Sequence, residues 1–188
     1  TDTKIHDKLI KDYWIQKIID NERTFTFSTL YTDEKIKRKK VKFLIDENVY
    51  DKIENISGGN DTAAFVIYLS FFSQLLFRYF DAEQLLIAAP SFNLLVEEDT
   101  SPGKGNLFFK LENAKHLSVK EQLGNTKDEV LDSLNHEGYA VEELKKHIQK
   151  QGMNVQKLLF QFGCSYDRIH SSMNGPNEVE LGLRVADT

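Results

Sequence analysis

Cysteine occurs once in 188 residues, as Cys164, so no disulfide can close within the chain and a metal site built from several thiolates is excluded. That scarcity leads us to expect a reducing, cytoplasmic setting. Proline occurs three times and glycine ten times, which excludes collagen-like and proline-rich architectures. No charge of one sign dominates: 24 basic against 29 acidic residues leave a net charge of −5. A surface of that sign repels phosphate backbones, so nucleic acid is not expected as a partner. Residues 1–11 are polar and charged, and no signal peptide is expected there. One apolar run is long, AAFVIYLSFFSQLLFRYF at residues 63–80. Ser70, Ser73, Gln74 and Arg78 interrupt it and Asp61 precedes it, so it reads as a buried core helix and no membrane is expected.

What is present suits one globular domain spanning residues 1–188. The chain is 40% hydrophobic, with 13 Phe and 7 Tyr, enough apolar surface to offset chain entropy. Residues 7–20 carry Leu9, Ile10, Tyr13, Trp14, Lys17 and Ile18 at spacings of three and four, an amphipathic helix. Residues 23–30 alternate Phe with Thr and Ser as a strand does, and residues 41–45 read as a second strand. Asp46 is placed to cap a short helix with Val49, Ile53 and Ile56 inward. Gly58 and Gly59 end it, and Asn60, Asp61 or Thr62 caps the long apolar helix that follows. Residues 85–89 form a strand closed by Pro90, residues 93–106 a loop, and residues 107–111 another strand. Helices are expected at 119–134 and 141–148, and strands at 155–166 and 179–185. The order implies an α/β (α+β) fold, a mixed sheet with helices packed on one face.

Motifs that would carry chemistry are sparse. The chain contains no GxGxxG, P-loop, HExxH or GxSxG string. His6, His116, His136, His147 and His170 lack metal-ligand spacing and read as surface histidines. Cys164, inside an apolar strand, reads as an inert core thiol. Glu97, Glu98 and Asp99 are adjacent in a loop and read as a solvated charge run. The one basic cluster, KIKRKKVK at 35–42, has two readings: a patch for a phosphate or an acidic partner, or a charged strand edge that blocks edge pairing.

The series of motifs resembles the C-terminal lobe of a nonribosomal peptide synthetase condensation domain, in the chloramphenicol-acetyltransferase-like superfamily. Tyr13-Trp14 matches an aromatic pair at the start of that lobe, and Leu75-Leu76-Phe77-Arg78-Tyr79-Phe80-Asp81 its long helix end. Ile87-Ala88-Ala89-Pro90 matches an apolar strand closed by proline, and Asn106 opens the next strand. Leu117-Ser118, then His136 with Val141-Glu142-Glu143-Leu144, then Leu159-Phe160-Gln161-Phe162 follow in the family's order. Ala88, Asn93 and Leu94 depart from a glycine-arginine turn, and the family's HHxxxDG string is not in these 188 residues.

The resemblance implies a half-domain, either excised or naturally truncated, and not catalytic alone. Such a lobe walls a tunnel through which carrier proteins bring phosphopantetheine-bound thioesters, while an N-terminal condensation lobe supplies the histidines. Ser91, Asn93 and Asn106 are the expected tunnel-lining residues. Lys35, Lys37, Arg38, Lys39 and Lys40 are the expected partner-binding residues. No catalytic residue, metal or directly bound cofactor is expected. The alternative is a truncated, non-catalytic module recruiting a carrier protein, an adenylation domain or a tailoring enzyme. An acyl-CoA acyltransferase of the same superfamily would need an HxxxD that the chain lacks.

Overall fold

A computed structural model describes residues 2–19, 44–92, 106–137, 141–170 and 179–183, and structural statements below concern these. Three helices come first: α1 (Asp2–Ile19), α2 (Glu47–Ser57) and α3 (Asp61–Phe80). Strands β1 (Gln84–Pro90) and β2 (Asn106–Glu112) follow, then α4 (Val119–Asn135), α5 (Val141–Lys150) and α6 (Val155–Leu159). The last elements are β3 (Phe162–Tyr166), α7 (Asp167–His170) and β4 (Val179–Leu183). The architecture is mixed α+β.

The helix boundaries follow local chemistry. The Asp46 side chain accepts the Asn48 N–H at 2.9 Å and starts α2, and Gly58, at φ +62°, ends it in a conformation costly for any side chain. Asn60 is the residue that caps α3, accepting the Ala63 N–H at 2.9 Å. Ser118 and Glu121 form a reciprocal capping box at the start of α4. By length and composition α3 could cross a membrane, yet 61% of its most apolar window is buried inside the protein. Phe71, Leu75 and Tyr79 form an exposed line along its outer side.

The sheet has the order β2-β1-β3-β4, with β1 antiparallel to β2, parallel to β3, and β3 antiparallel to β4. Neighbouring residues of a strand point to opposite faces. Phe108 meets Trp14 of α1 at 6.1 Å between ring centroids, whereas Phe109 meets Phe65 of α3 at 5.8 Å. Helices therefore cover both faces, which corrects the one-face expectation. It also explains why β1 is buried from Gln84 through Ala89 without alternation. The open edge of β2 is partly sealed by α4: Glu129 accepts the Lys110 N–H at 2.6 Å, and Ser133 donates to the Phe108 carbonyl at 3.4 Å.

Three further readings are corrected. Residues 155–166 are not one strand: the Asn154 carbonyl accepts the Leu158 N–H at 3.1 Å, winding 155–159 into α6 before β3 begins. An apolar run alone does not decide between the two periods. Leu44 and Ile45 belong to no strand, and Leu44 is 98% exposed. In α2 the inward line is Tyr50, Ile53 and Ser57, so Val49 and Ile56 are exposed at 47% and 70%. The expected strand at 23–30, residues 41–43 of the next expected strand and nearly all of the loop at 93–106 lie outside the described residues.

Candidate functional site

The carboxyl end of β1 lies at the centre of the sheet, between an antiparallel and a parallel neighbour. In open α/β sheets ligands bind in the crevice outside the carboxyl ends of the strands. The register pairs Pro90 with Asn106, so Ser91 and Asn106 come to the same rim although 15 residues separate them in sequence. Asn106 is exposed there. Ser91 is buried, and its hydroxyl donates to the Glu137 carboxylate just beyond α4.

His170, at the end of α7, joins this end of the molecule. Its Nδ1 accepts the Tyr166 N–H at 2.8 Å, which leaves the neutral ring's proton on Nε2. Nε2 is buried and has no hydrogen-bond partner among the described residues. The ring stands edge-on to Phe65 and Phe92, at 5.2 and 5.1 Å. Burial pushes its pKa down to about 4, opposed in part by the nearby Asp167 charge. With only 8% of its surface exposed, His170 departs from the surface role expected of the histidines.

A second polar cluster joins α1 to α4. Lys17 Nζ donates to Glu129 Oε1 at 2.7 Å, to the Tyr13 hydroxyl at 2.5 Å and to Ser133 Oγ at 2.8 Å. Those three bonds use all three ammonium hydrogens. The Tyr13 hydroxyl in turn donates to Asp132 at 2.5 Å, and its ring stacks on His136 at 3.7 Å. Burial pulls the Lys17 pKa down and pushes the Glu129 pKa up, while their mutual attraction opposes both shifts. Burial, followed by the hydrogen bond to Asp132, raises the Tyr13 pKa. The cluster clamps elements together and has no spare proton donor on Lys17.

Arg168 bridges Glu54 at 2.7 Å and Asp61 at 2.8 Å, holding α7 against α2 and α3. Burial pushes the Cys164 pKa up to about 12, so its thiol stays protonated. Of the residues expected to line a tunnel, Ser91 and Asn106 share a rim, while Asn93 lies outside the described residues. Lys35, Lys37, Arg38, Lys39 and Lys40 also lie outside them. Sequence reasoning missed His170, Glu137 and the Lys17–Glu129 pair. Apart from the Tyr166 N–H at His170, the groups they contact come from far away in the chain, and only the polarity of Lys17 on an otherwise apolar stripe hinted at any of them.

No protein-family model matches the sequence, and no curated protein matches it either.

Proposed function

We propose that this chain is one lobe of a nonribosomal peptide synthetase condensation domain, a wall and docking scaffold for carrier-bound thioesters. The observation that carries the reading is the Pro90–Asn106 register. It joins two pieces of the family-like series at one rim, at the sheet position where ligands gather in open sheets. The order of elements supports it too: an aromatic pair on α1 with Trp14 packed on the sheet, the long α3, then β1 closed by proline. On this reading the chloramphenicol-acetyltransferase-like half-fold is the scaffold, and Ser91 and Asn106 lie beside the path of a phosphopantetheine arm that the carrier delivers.

Two thioester-bound substrates on separate arms react quickly only when their reacting atoms are held in near-attack geometry. A wall contributes by orienting and by excluding water. His170 is not the base of the reaction: its Nδ1 is spent on the Tyr166 backbone, and burial disfavours the charged ring. Proton handling would come from a partner lobe bearing HHxxxDG.

The test is a titration of the isotope-labelled chain with a carrier protein in apo form and in phosphopantetheine-loaded form. Resonances of Ser91 and Asn106 should shift with the loaded carrier and not with the apo carrier, whereas 35–40 should respond to both. Silence at both regions at high carrier concentration would overturn the proposal. Product formation by the chain alone would overturn the non-catalytic role.

A further inference from the structure

A groove of about 570 Å³ lies over the C-terminal half of β2, walled by α1, α3 and α4. It is separate from the rim at Ser91 and does not rest on the condensation reading. Because Asn113 N–H donates to the Glu83 carbonyl, the odd-numbered residues of β2 bond to β1 and the even-numbered ones face outward. Among the outward groups near the groove, the Lys110 N–H is taken by Glu129, and the Glu112 carbonyl accepts the Ala114 N–H at 3.1 Å. The Lys110 carbonyl and the Glu112 N–H have no partner among the described residues. A carbonyl at one position and an N–H two residues on is what an edge strand offers to one residue of an added parallel strand.

The side chains around this pair set the charge of the occupant. The lining holds four carboxylates, Glu112, Asp128, Glu129 and Asp132, against Lys17 and Lys110. Lys17 lies 2.7 Å from Glu129 and 4.0 Å from Asp132, which also accepts the Tyr13 hydroxyl, so the four carboxylates outnumber the two lysines and the exposed Asp128 is the one least engaged. Gln74 and Asn125 add amide groups along the walls. We propose that this groove binds a short, extended, basic peptide segment, which adds to β2 through the Lys110 carbonyl and the Glu112 N–H and sets its cationic side chains against Asp128 and Asp132. The volume falls within the range of small-ligand sites, enough for a few residues and too little for a folded partner.

The experiment titrates the labelled full chain with Ac-Val-Lys-Val-Lys-NH2, followed by backbone amide shifts and hydrogen exchange. The Glu112 amide is expected to shift saturably and to exchange more slowly, with affinity falling as salt rises. Methylating the peptide's central amide nitrogens should abolish the effect, because the donor to the Lys110 carbonyl is gone. Asp128→Lys, at an exposed position of α4, should weaken binding about tenfold while leaving the unfolding midpoint near its original value. No shift at Glu112, equal binding of the N-methylated peptide, or equal binding of Ac-Val-Glu-Val-Glu-NH2 would each overturn the proposal. None of these results bears on carrier docking at Ser91 and Asn106.

Discussion

At the scale of single residues, His170 shows how burial turns a titratable group into a pH-dependent contribution to stability. The unfolded chain takes up a proton on this imidazole near the ordinary value of 6.5, whereas the folded chain resists until about 4. Between those values the unfolded state binds more protons, so stability rises with pH through that window and levels off above it. The difference is about 3 kcal/mol. His170→Asn keeps an acceptor for the Tyr166 N–H and removes the titration. Urea unfolding between pH 4 and pH 7 should therefore show a shallower slope for that variant; equal slopes would mean the ring is not the source. Nothing in the sequence around His170 announces this role. Asp167 and Arg168 beside it read as surface, and the rings that enclose it, Phe65 and Phe92, come from far upstream.

At the scale of elements, the clamp between α1 and α4 decides how well the edge of β2 is sealed. Glu129 receives both Lys17 and the Lys110 N–H, so it couples a helix, a second helix and a strand. Removing only the cation leaves a buried carboxylate without its counter-charge. Lys17→Met should cost roughly 3 kcal/mol, measured by chemical denaturation at pH 7. Adding Glu129→Gln should recover much of that loss, since the amide carbonyl still accepts from Lys110. If the double variant is no more stable than the single one, an unpaired charge is not what the lysine prevents. Which elements exist was largely legible, because α1, α3, β1, β2, α4 and α5 each carry a clean local signal: a helical stripe, a cap, or a run closed by proline. The segment at 155–166 was not legible, since its apolar run fits both periods and a tertiary contact chooses. In α2 the period was right and Ile53 turns in as expected, but Tyr50 and Ser57 flank it inward where Val49 and Ile56 were expected, because packing against α3 selects which side turns in. The site was legible only in part: a small polar residue after Pro90 and an asparagine opening β2 stood out, whereas the buried pair Lys17 and Glu129 depends on a contact spanning most of the chain.

At the scale of the whole molecule, the sheet separates two packing surfaces. Trp14, the single tryptophan, sits on one of them against Phe108, with its indole N–H donating to the His136 carbonyl at 2.8 Å. Phe65 sits on the other, against Phe109, Phe92 and His170. The central strand is shared by both, with fully buried Leu85 and Ile87 among its side chains, so loss of packing on one face removes support from the other. Small single domains usually unfold as one cooperative unit, and the strand shared by both faces extends that expectation to this chain. Phe65→Ala should therefore cost about 4 kcal/mol and lower the midpoint reported by Trp14 fluorescence as much as the midpoint reported by far-ultraviolet circular dichroism. A variant in which the dichroism midpoint falls while the tryptophan midpoint stays put would show that the two faces melt independently. That outcome would also weaken any role for the molecule as a rigid wall, because a surface that orients a tethered substrate must hold its rim at Ser91 and Asn106 while the opposite face carries load.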